Sequence, residues 1–289
     1  IRTVLLSRYS LDIIKRVENI FSESPPIDLS IKSSASKKNY FKQLKGTSVN
    51  RSHFRLSQKT SLIKTKGYCA GDWWVQSLAA SLPVKIAPMD LKEKTVLDVC
   101  CAPGGKSFQL ADRGAILTSI DKSERRLKLM RENLDRLNYD LDLICKDVFE
   151  YQPKNYFDII LLDPPCTATG TIGKNPDLQF LNPLDKLEEL SVIQRKMLKR
   201  CASWLQDDGY IIYSVCSLLK EEGEDQISRF LKKNKEFCLV YPKKRGFLDQ
   251  EGYETNKESG IRIMPFFEEG LGGTEGFFIA YLHRKGKSN

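Results

Sequence analysis

The sequence predicts an α/β protein with a mostly parallel sheet covered on both faces, carrying a small α+β module at its N-terminal end. Three observations lead there. From about residue 95, apolar strand-type runs alternate with helical patterns, and such alternation builds parallel sheets flanked by helices. Residues 1–65 are instead polar and broken by turn signals at 22–26, 30–38 and 45–50. Finally, residues 1–65 hold 13 of the 46 basic and 4 of the 37 acidic side chains, a net of +9, while the remainder carries 33 of each.

The N-terminal segment reads as a short helix near 9–21, a strand near 27–32, a helix near 36–45 and strand-like pieces after it. TVLDVC at 95–100 is a buried-type strand, followed by the loop CAPGGK at 101–106 and a helix through Ala111. AILTSID at 115–121 is a strand, and residues 123–137 form an amphipathic helix with Ser123 as N-cap. Strands follow at 141–147 and 157–165, a helix at 187–205, a strand at 209–217 and a helix at 221–233. Strands at 236–242 and 276–283 close the pattern. We place the boundary between module and sheet at residues 75 and 76, giving units 1–75 and 76–289.

Composition narrows the chemistry. With 41% hydrophobic and 29% charged residues, the chain belongs with soluble globular proteins. No apolar run approaches the roughly 18–20 residues that cross a bilayer, and the start lacks a secretion signal. A chain that begins at Ile1 is read as a fragment, so a further N-terminal domain is allowed for. Eight cysteines without a CxxC pair, and only two histidines, argue against zinc, a disulfide scaffold and Ser-His-Asp chemistry. Reduced thiols fit a cytoplasmic enzyme. The basic first quarter reads as a polyanion footprint, against the alternative of a solvated Lys-rich surface.

Open α/β sheets bind ligands at the carboxyl ends of their strands. There the sequence places Asp98 with the Gly104-Gly105 turn, Asp121, Asp147, Asp163 with Cys166, and Cys216. Asp121 stands about twenty residues after the first turn, where an acid grips ribose hydroxyls. The turn is APGGK and not GxGxxG, so it offers less to a pyrophosphate. A pocket ringed by carboxylates suits adenosine bearing a sulfonium, which is S-adenosylmethionine, with Asp147 near the adenine. The alternatives are another nucleotide-binding fold, or acids that merely cap helices.

Cys166 and Cys216 each have a bland reading as buried small hydrophobes. Both on the ligand side of the sheet, they match the demands of methylating carbon-5 of a pyrimidine. That carbon becomes nucleophilic only after a thiolate adds to carbon-6. Asp163, three residues before Cys166, is placed to assist at the ring nitrogen. Trp73 and Trp74 are read as domain-junction core in preference to base-stacking residues.

LDVCCAPGGKS (97–107), SIDKSERRL (119–127), LLDPPCTATGT (161–171), NPD (175–177), YSVCSLLKEE (213–222), GGTEGFF (272–278) and the flank GDWWVQS (71–77) resemble the RsmB/Nop2/Sun RNA cytosine-5 methyltransferases. The resemblance covers roughly residues 25–285 and is nearest to the Sun-type branch that acts on small-subunit ribosomal RNA. It implies a Rossmann-like class I methyltransferase sheet, an RNA-recognition-like N-terminal module and, upstream in Sun-type members, a helical RNA-binding domain. It implies Cys216 as nucleophile, Cys166 in product release, and Asp163 against the cytosine or the methionine end of the cofactor. Cys100, Cys101, Ala102, Pro103, Gly104, Gly105, Lys106, Asp121, Arg126, Asp147 and Asp163 would bind S-adenosylmethionine. DNA pyrimidine methyltransferases keep their nucleophile in a Pro-Cys motif, so Cys166 is the rival nucleophile.

Four positions bear on the family pattern. Ser77 stands where Asp is frequent and is expected to loosen a helix cap, Gly173 and Lys174 stand where two basic residues are usual, and Glu275 replaces Asp. The function expected is an S-adenosylmethionine-dependent RNA cytosine-5 methyltransferase acting on ribosomal RNA, monomeric, without metal or membrane. A transfer RNA methyltransferase and a non-catalytic ribosome-assembly factor are the alternatives; intact Cys166, Cys216 and APGGK oppose the latter.

Overall fold

A computed structural model describes residues 1–35, 44–57, 61–243 and 248–286. Its larger sheet begins with β5 (Thr95–Val99), flanked by β6 (Ile116–Asp121) on one side and β8 (Phe157–Leu162) on the other, all parallel. β7 (Asp142–Cys145) extends the sheet beyond β6, and β9 (Leu205–Val215) lies parallel to β8. Chain order therefore reverses at the β5–β8 crevice, where open sheets of this Rossmann-like type hold their ligands. Past β9 the pairing turns antiparallel: β13 (Phe277–Arg284) pairs with β9, and β12 (Gly260–Ile263), β11 (Tyr253–Asn256) and β10 (Phe237–Val240) complete that edge.

Neighbouring residues along each central strand feed opposite cores, the period-2 rule of a sheet buried on both faces. Val96, Ile159 and Ile212 join one cluster, which contains Leu82 of α3 (Leu78–Lys85) and Leu110 of α4 (Gly105–Asp112). Leu97, Ile160 and Ile211 join the other, with Met197 and Cys201 of α6 (Leu184–Ser203) and Ile227 of α7 (Glu224–Lys233). α5 (Glu124–Leu137) sets Leu127, Met130 and Leu134 against Phe108 of α4. It starts at Ser123, whose hydroxyl accepts from the Arg126 N–H at 3.4 Å.

A second, antiparallel sheet in the order β2-β3-β1-β4 precedes the first. Its strands are β1 (Ile27–Ile31), β2 (Gly46–Asn50), β3 (His53–Leu56) and β4 (Trp73–Val75). Leu29, Phe54, Leu56 and Trp73 form its core. Before it come α1 (Arg2–Leu6) and α2 (Leu11–Ser22), the latter capped by Ser10. Ile14 and Val17 of α2 pack on Leu218, Leu219, Met264 and Phe266, so these helices cover the segment that follows β9.

The structure amends several expectations. The helix expected near 36–45 falls mainly on residues 36–43, outside the described residues; Gly46 already opens β2. The strand expected over 141–147 ends at Cys145, because Asp147 turns the chain: its carboxylate accepts from the Phe149 N–H at 2.8 Å. Helix α7 begins at Glu224 after a 3₁₀ turn over Lys220–Glu222. Ser77 does not loosen α3; it caps it, accepting from the Ala80 N–H at 3.3 Å. Several of the N-terminal cations are paired with acids: Arg8 with Glu221, Arg16 with Glu251 and Glu269, and buried Arg55 with Asp28 at 2.6 Å. Among the described residues, no helix is long and apolar enough to cross a membrane.

Candidate active site

Asp163 follows β8 directly and Cys216 follows β9 directly. Because the two strands are parallel neighbours in register, with Leu162 opposite Tyr213, their ends deliver both loops to one place. The Cys166 and Cys216 sulfurs are 3.5 Å apart. The residues after each cysteine fasten the loops together. The Gly170 N–H donates to the Cys216 carbonyl at 3.0 Å, and the Ser217 hydroxyl lies 3.3 Å from that of Thr167 and 3.1 Å from that of Thr169. The Gly276 N–H donates to the Gly170 carbonyl at 2.9 Å. That approach requires glycine, since a Cβ on Gly170 would stand 2.0 Å from the Gly276 oxygen.

Beside the thiols, Lys106 donates to Asp163 Oδ2 at 2.6 Å, with only 11% of the lysine side chain exposed. Burial works against its charge, but the Asp163, Asp98 and Cys216 charges outweigh burial and the ammonium's pKa is raised. Asp98, at the end of β5, is buried and accepts from the Ser107 hydroxyl at 2.5 Å. Burial, with the Asp163 and Asp121 charges, pushes it up to about 7 against the opposing pull of Ser107 and Lys106. The Cys166 thiol is pushed well above its usual range, first by its bond to Cys216, then by burial and by the Cys216 and Glu222 charges.

The loop over 100–104 is held from β6. Ile120 accepts from the Cys101 N–H at 3.1 Å, and Asp121 accepts from the Ala102 N–H at 3.2 Å and the Ser123 N–H at 2.9 Å. Arg126 spans the Asp121 carboxylate, at 3.4 Å, and the Ala102 carbonyl. Cys100, Ala102, Pro103, Asp121, Arg126, Asp147, Asp163, Cys166 and Cys216 all line one cavity of about 730 Å³. Val148 and the partly exposed ring of Phe149 complete its wall near Asp147. The donor set fits S-adenosylmethionine: a strand-end carboxylate for ribose hydroxyls, an apolar wall for a flat base, and several acids for a cationic sulfur.

The remaining expected residues stand elsewhere around the same loop. Lys106, Gly105 and Cys101 line an adjoining cavity of about 520 Å³ on the other side of the loop, walled also by Tyr68, Trp74, Gln76 and Arg136. The two cavities share Cys100, Ala102, Pro103 and Asp163. Cys101 packs in a cluster with Trp74 and Phe108, and burial raises its thiol. Gly104 lines neither cavity; its φ of 105° starts α4, and a Cβ there would meet Phe108 at 2.5 Å. Trp73 and Trp74 are buried, as their apolar context implied. Lys174 pairs with Glu275 at 2.6 Å, and Glu275 accepts from Ser77 at 2.5 Å, so three of the four positions noted above meet at one carboxylate. Sequence reasoning missed Glu222 and Gln194 beneath the cysteine loops. Glu222 falls within the YSVCSLLKEE motif, whereas nothing in the helical pattern marked Gln194.

Comparison with known proteins agrees with this geometry. The family model described as 16S rRNA methyltransferase RsmB/F matches residues 85–283. Ribosomal RNA small subunit methyltransferase B of Shewanella oneidensis is 35% identical over 192 residues, covering 65% of this chain and 42% of that protein. Its counterpart in Pseudomonas syringae pv. tomato is 32% identical over 269 residues, covering 81% and 58%. The chain spans about half the length of the curated relatives it matches. The crystal structure of a methyltransferase homolog protein from Pyrococcus horikoshii superposes with a TM-score of 0.76 at 25% identity, covering 93% of this chain and 90% of that one. The matched segment runs from the end of α3 into β13 and so encloses the cofactor loop and both cysteine loops. The chain belongs to the RsmB/F family of 16S rRNA methyltransferases.

Proposed function

We propose that this protein transfers a methyl group to carbon-5 of a cytosine in RNA, with small-subunit ribosomal RNA in the cytoplasm as its substrate. The observation that carries the reading is the pair of sulfurs 3.5 Å apart beside Asp163, on the wall of the cofactor cavity. A single thiol would serve a simple alkylation. Where one thiol is bonded to carbon-6 while the carbon-5 proton is still to be removed, a second thiol in contact with it has a part in releasing the product.

In this reading Cys216 adds to carbon-6 of the base as the thiolate. Lys106 supplies the neighbouring positive charge and holds Asp163 in place. As the sulfur adds, Asp163 carries the proton given up by Cys216 to the ring nitrogen, so that carbon-5 gains electron density without a net charge on the ring. S-adenosylmethionine, when bound, supplies a methyl carbon made electrophilic by its sulfonium. In the closing step the carbon-5 proton passes to water, the ring double bond re-forms and Cys216 is expelled as a thiolate, to which the adjacent Cys166 S–H donates. The small sheet, Tyr68 and Arg136 flank the second cavity, which supports residues 1–75 as the module that receives RNA beside the target base.

The test uses wild type, Cys216→Ala and Cys166→Ala with unmodified ribosomal RNA and S-adenosylmethionine. Nucleoside mass spectrometry reads the product, and a denaturing gel reads protein–RNA adducts. Cys216→Ala should give neither, and Cys166→Ala should accumulate an adduct. An adduct-free Cys166→Ala reverses the two roles. A wild-type protein that makes 5-methylcytosine in no RNA or ribosomal particle overturns the reading.

A further inference from the structure

The residues on either side of Cys166 are tied to one buried carboxylate. The Thr167 backbone N–H donates to Glu222 Oε1 at 2.9 Å, and its hydroxyl donates to Oε2 at 2.5 Å. Gln194 Nε2 donates at 3.0 Å to Glu222 Oε1 and at 3.0 Å to the carbonyl of Pro165. Glu222 is 0% exposed, and these donors are all uncharged. The nearby Arg262 is engaged by Glu224 and the Ser217 carbonyl. A buried carboxylate satisfied by neutral donors, without a counter-charge, keeps its field for the groups beside it.

We propose that Glu222 is a positioning residue that selects the nucleophile: it holds Cys166 from both sides beside a buried carboxylate without a counter-charge, a place hostile to an attacking thiolate, and so leaves the attack to Cys216. The proposal deepens, and rests on, the two-cysteine reading above. The groups facing Cys166 are Cys216 across 3.5 Å, Glu222 behind Thr167, and the Tyr213 hydroxyl of β9, which donates to the Glu222 carbonyl at 2.7 Å. Lys106 and Asp163 lie on the Cys216 side, and Arg262 lies behind Ser217. The Lys106–Asp163 pair sums to zero charge, whereas the Glu222 carboxylate has only neutral donors, so the uncompensated charge lies beside Cys166. A proton shared between two touching sulfurs settles on the one nearer the anion. Burial and the Glu222 charge both act on Cys166 in that sense. The same asymmetry decides between the two motifs in which a pyrimidine-attacking cysteine can reside, against the Pro-Cys position.

Iodoacetamide alkylation without RNA, read for each cysteine peptide by mass spectrometry from about pH 6 to about pH 10, follows the two sulfurs separately. In wild type Cys216 should react faster than Cys166 near pH 8. Glu222→Gln, neutral and isosteric, should speed Cys166 at pH 8 by about tenfold or more, the effect of one pKa unit. Glu222→Asp keeps the charge and should leave Cys166 within about threefold of wild type. A wild type in which Cys166 outpaces Cys216 overturns the proposal, even if Glu222→Gln does not fold. So does a folded Glu222→Gln with an unchanged Cys166 profile. An unchanged profile in an active methyltransferase rejects Glu222 alone, whereas a shifted profile in a protein that methylates no RNA rejects only the functional reading.

Discussion

The Lys106 ammonium sits 2.6 Å from the Asp163 carboxylate, joining the first turn of α4 to the end of β8. Each residue is what makes the other tolerable in a mostly buried site, and both face the thiols. Removing the acid leaves a buried cation without its partner, and removing the cation strips Asp163 of its anchor. Asp163→Asn should lower single-turnover methyl transfer by about 10²–10⁴, the range of a lost acid–base group. Lys106→Met should lower it by about 10²–10³, as for other preorganised donors. Wild-type rates in either variant would remove that residue from the chemistry.

Asp121 does two things at once: it braces the Ala102 and Ser123 amides and it lines the cofactor cavity. Asp121→Ala should weaken S-adenosylmethionine binding by about 10–150-fold, the loss of charge-assisted hydrogen bonds worth about 1.5–3 kcal/mol. Calorimetric titration without RNA measures this directly, and an unchanged Kd would show that ribose binding lies elsewhere.

Gly170 meets the Gly276 carbonyl so closely that any Cβ must push the Cys166 loop aside. Gly170→Ala should cost about 1–3 kcal/mol of stability and much of the activity. Gly173→Ala is the control, because its added carbon would meet the Phe21 side chain at 3.3 Å and not a backbone oxygen. Equal melting temperatures for the two variants would contradict the steric account.

Asp98 gives a pH signature. Burial raises its folded-state pKa to about 7, well above an ordinary carboxylate. The folded protein then holds a proton that the unfolded chain releases near pH 4, so wild type loses stability as pH rises from about 4 to about 7 and is level above that. Asp98→Asn can still accept from Ser107 and carries no such loss. Its stability relative to wild type should grow across that window to a few kcal/mol. Chemical denaturation at pH 4, 5.5 and 7.5 reads the trend, and a constant difference would mean that Asp98 is ionised throughout.

What was legible in the sequence follows from locality. α5 announced itself because Ser123 caps it and Leu127, Met130, Leu134 and Leu137 recur on one face. α3 did not, because Leu78, Ala79, Leu82, Pro83 and Val84 are all buried and a helix wrapped in core shows no polar face to set the period. β11 was equally mute, since Glu254, Thr255 and Asn256 are exposed and lack an alternating pattern. At the site, the cysteines and strand-end acids were marked by their motifs. Contacts that join distant segments had no local mark: Lys106 with Asp163, or Glu222 with Gln194 and Thr167, are made by the topology of β8 and β9 and not by spacing.

The docking of α1 and α2 bears on how this enzyme can be cut down for laboratory use. Tyr9 donates to the Leu218 carbonyl at 2.7 Å and Arg8 pairs with Glu221, so the first helices clasp the stretch between Cys216 and Glu222. A minimal fragment trimmed to the family-matched residues 85–283 would bare Leu218, Leu219, Met264 and Phe266 together. It would also release the backbone downstream of Cys216. Such a fragment should be sticky and slack at Cys216 even with every motif intact, and expression boundaries are better drawn to retain the first 22 residues.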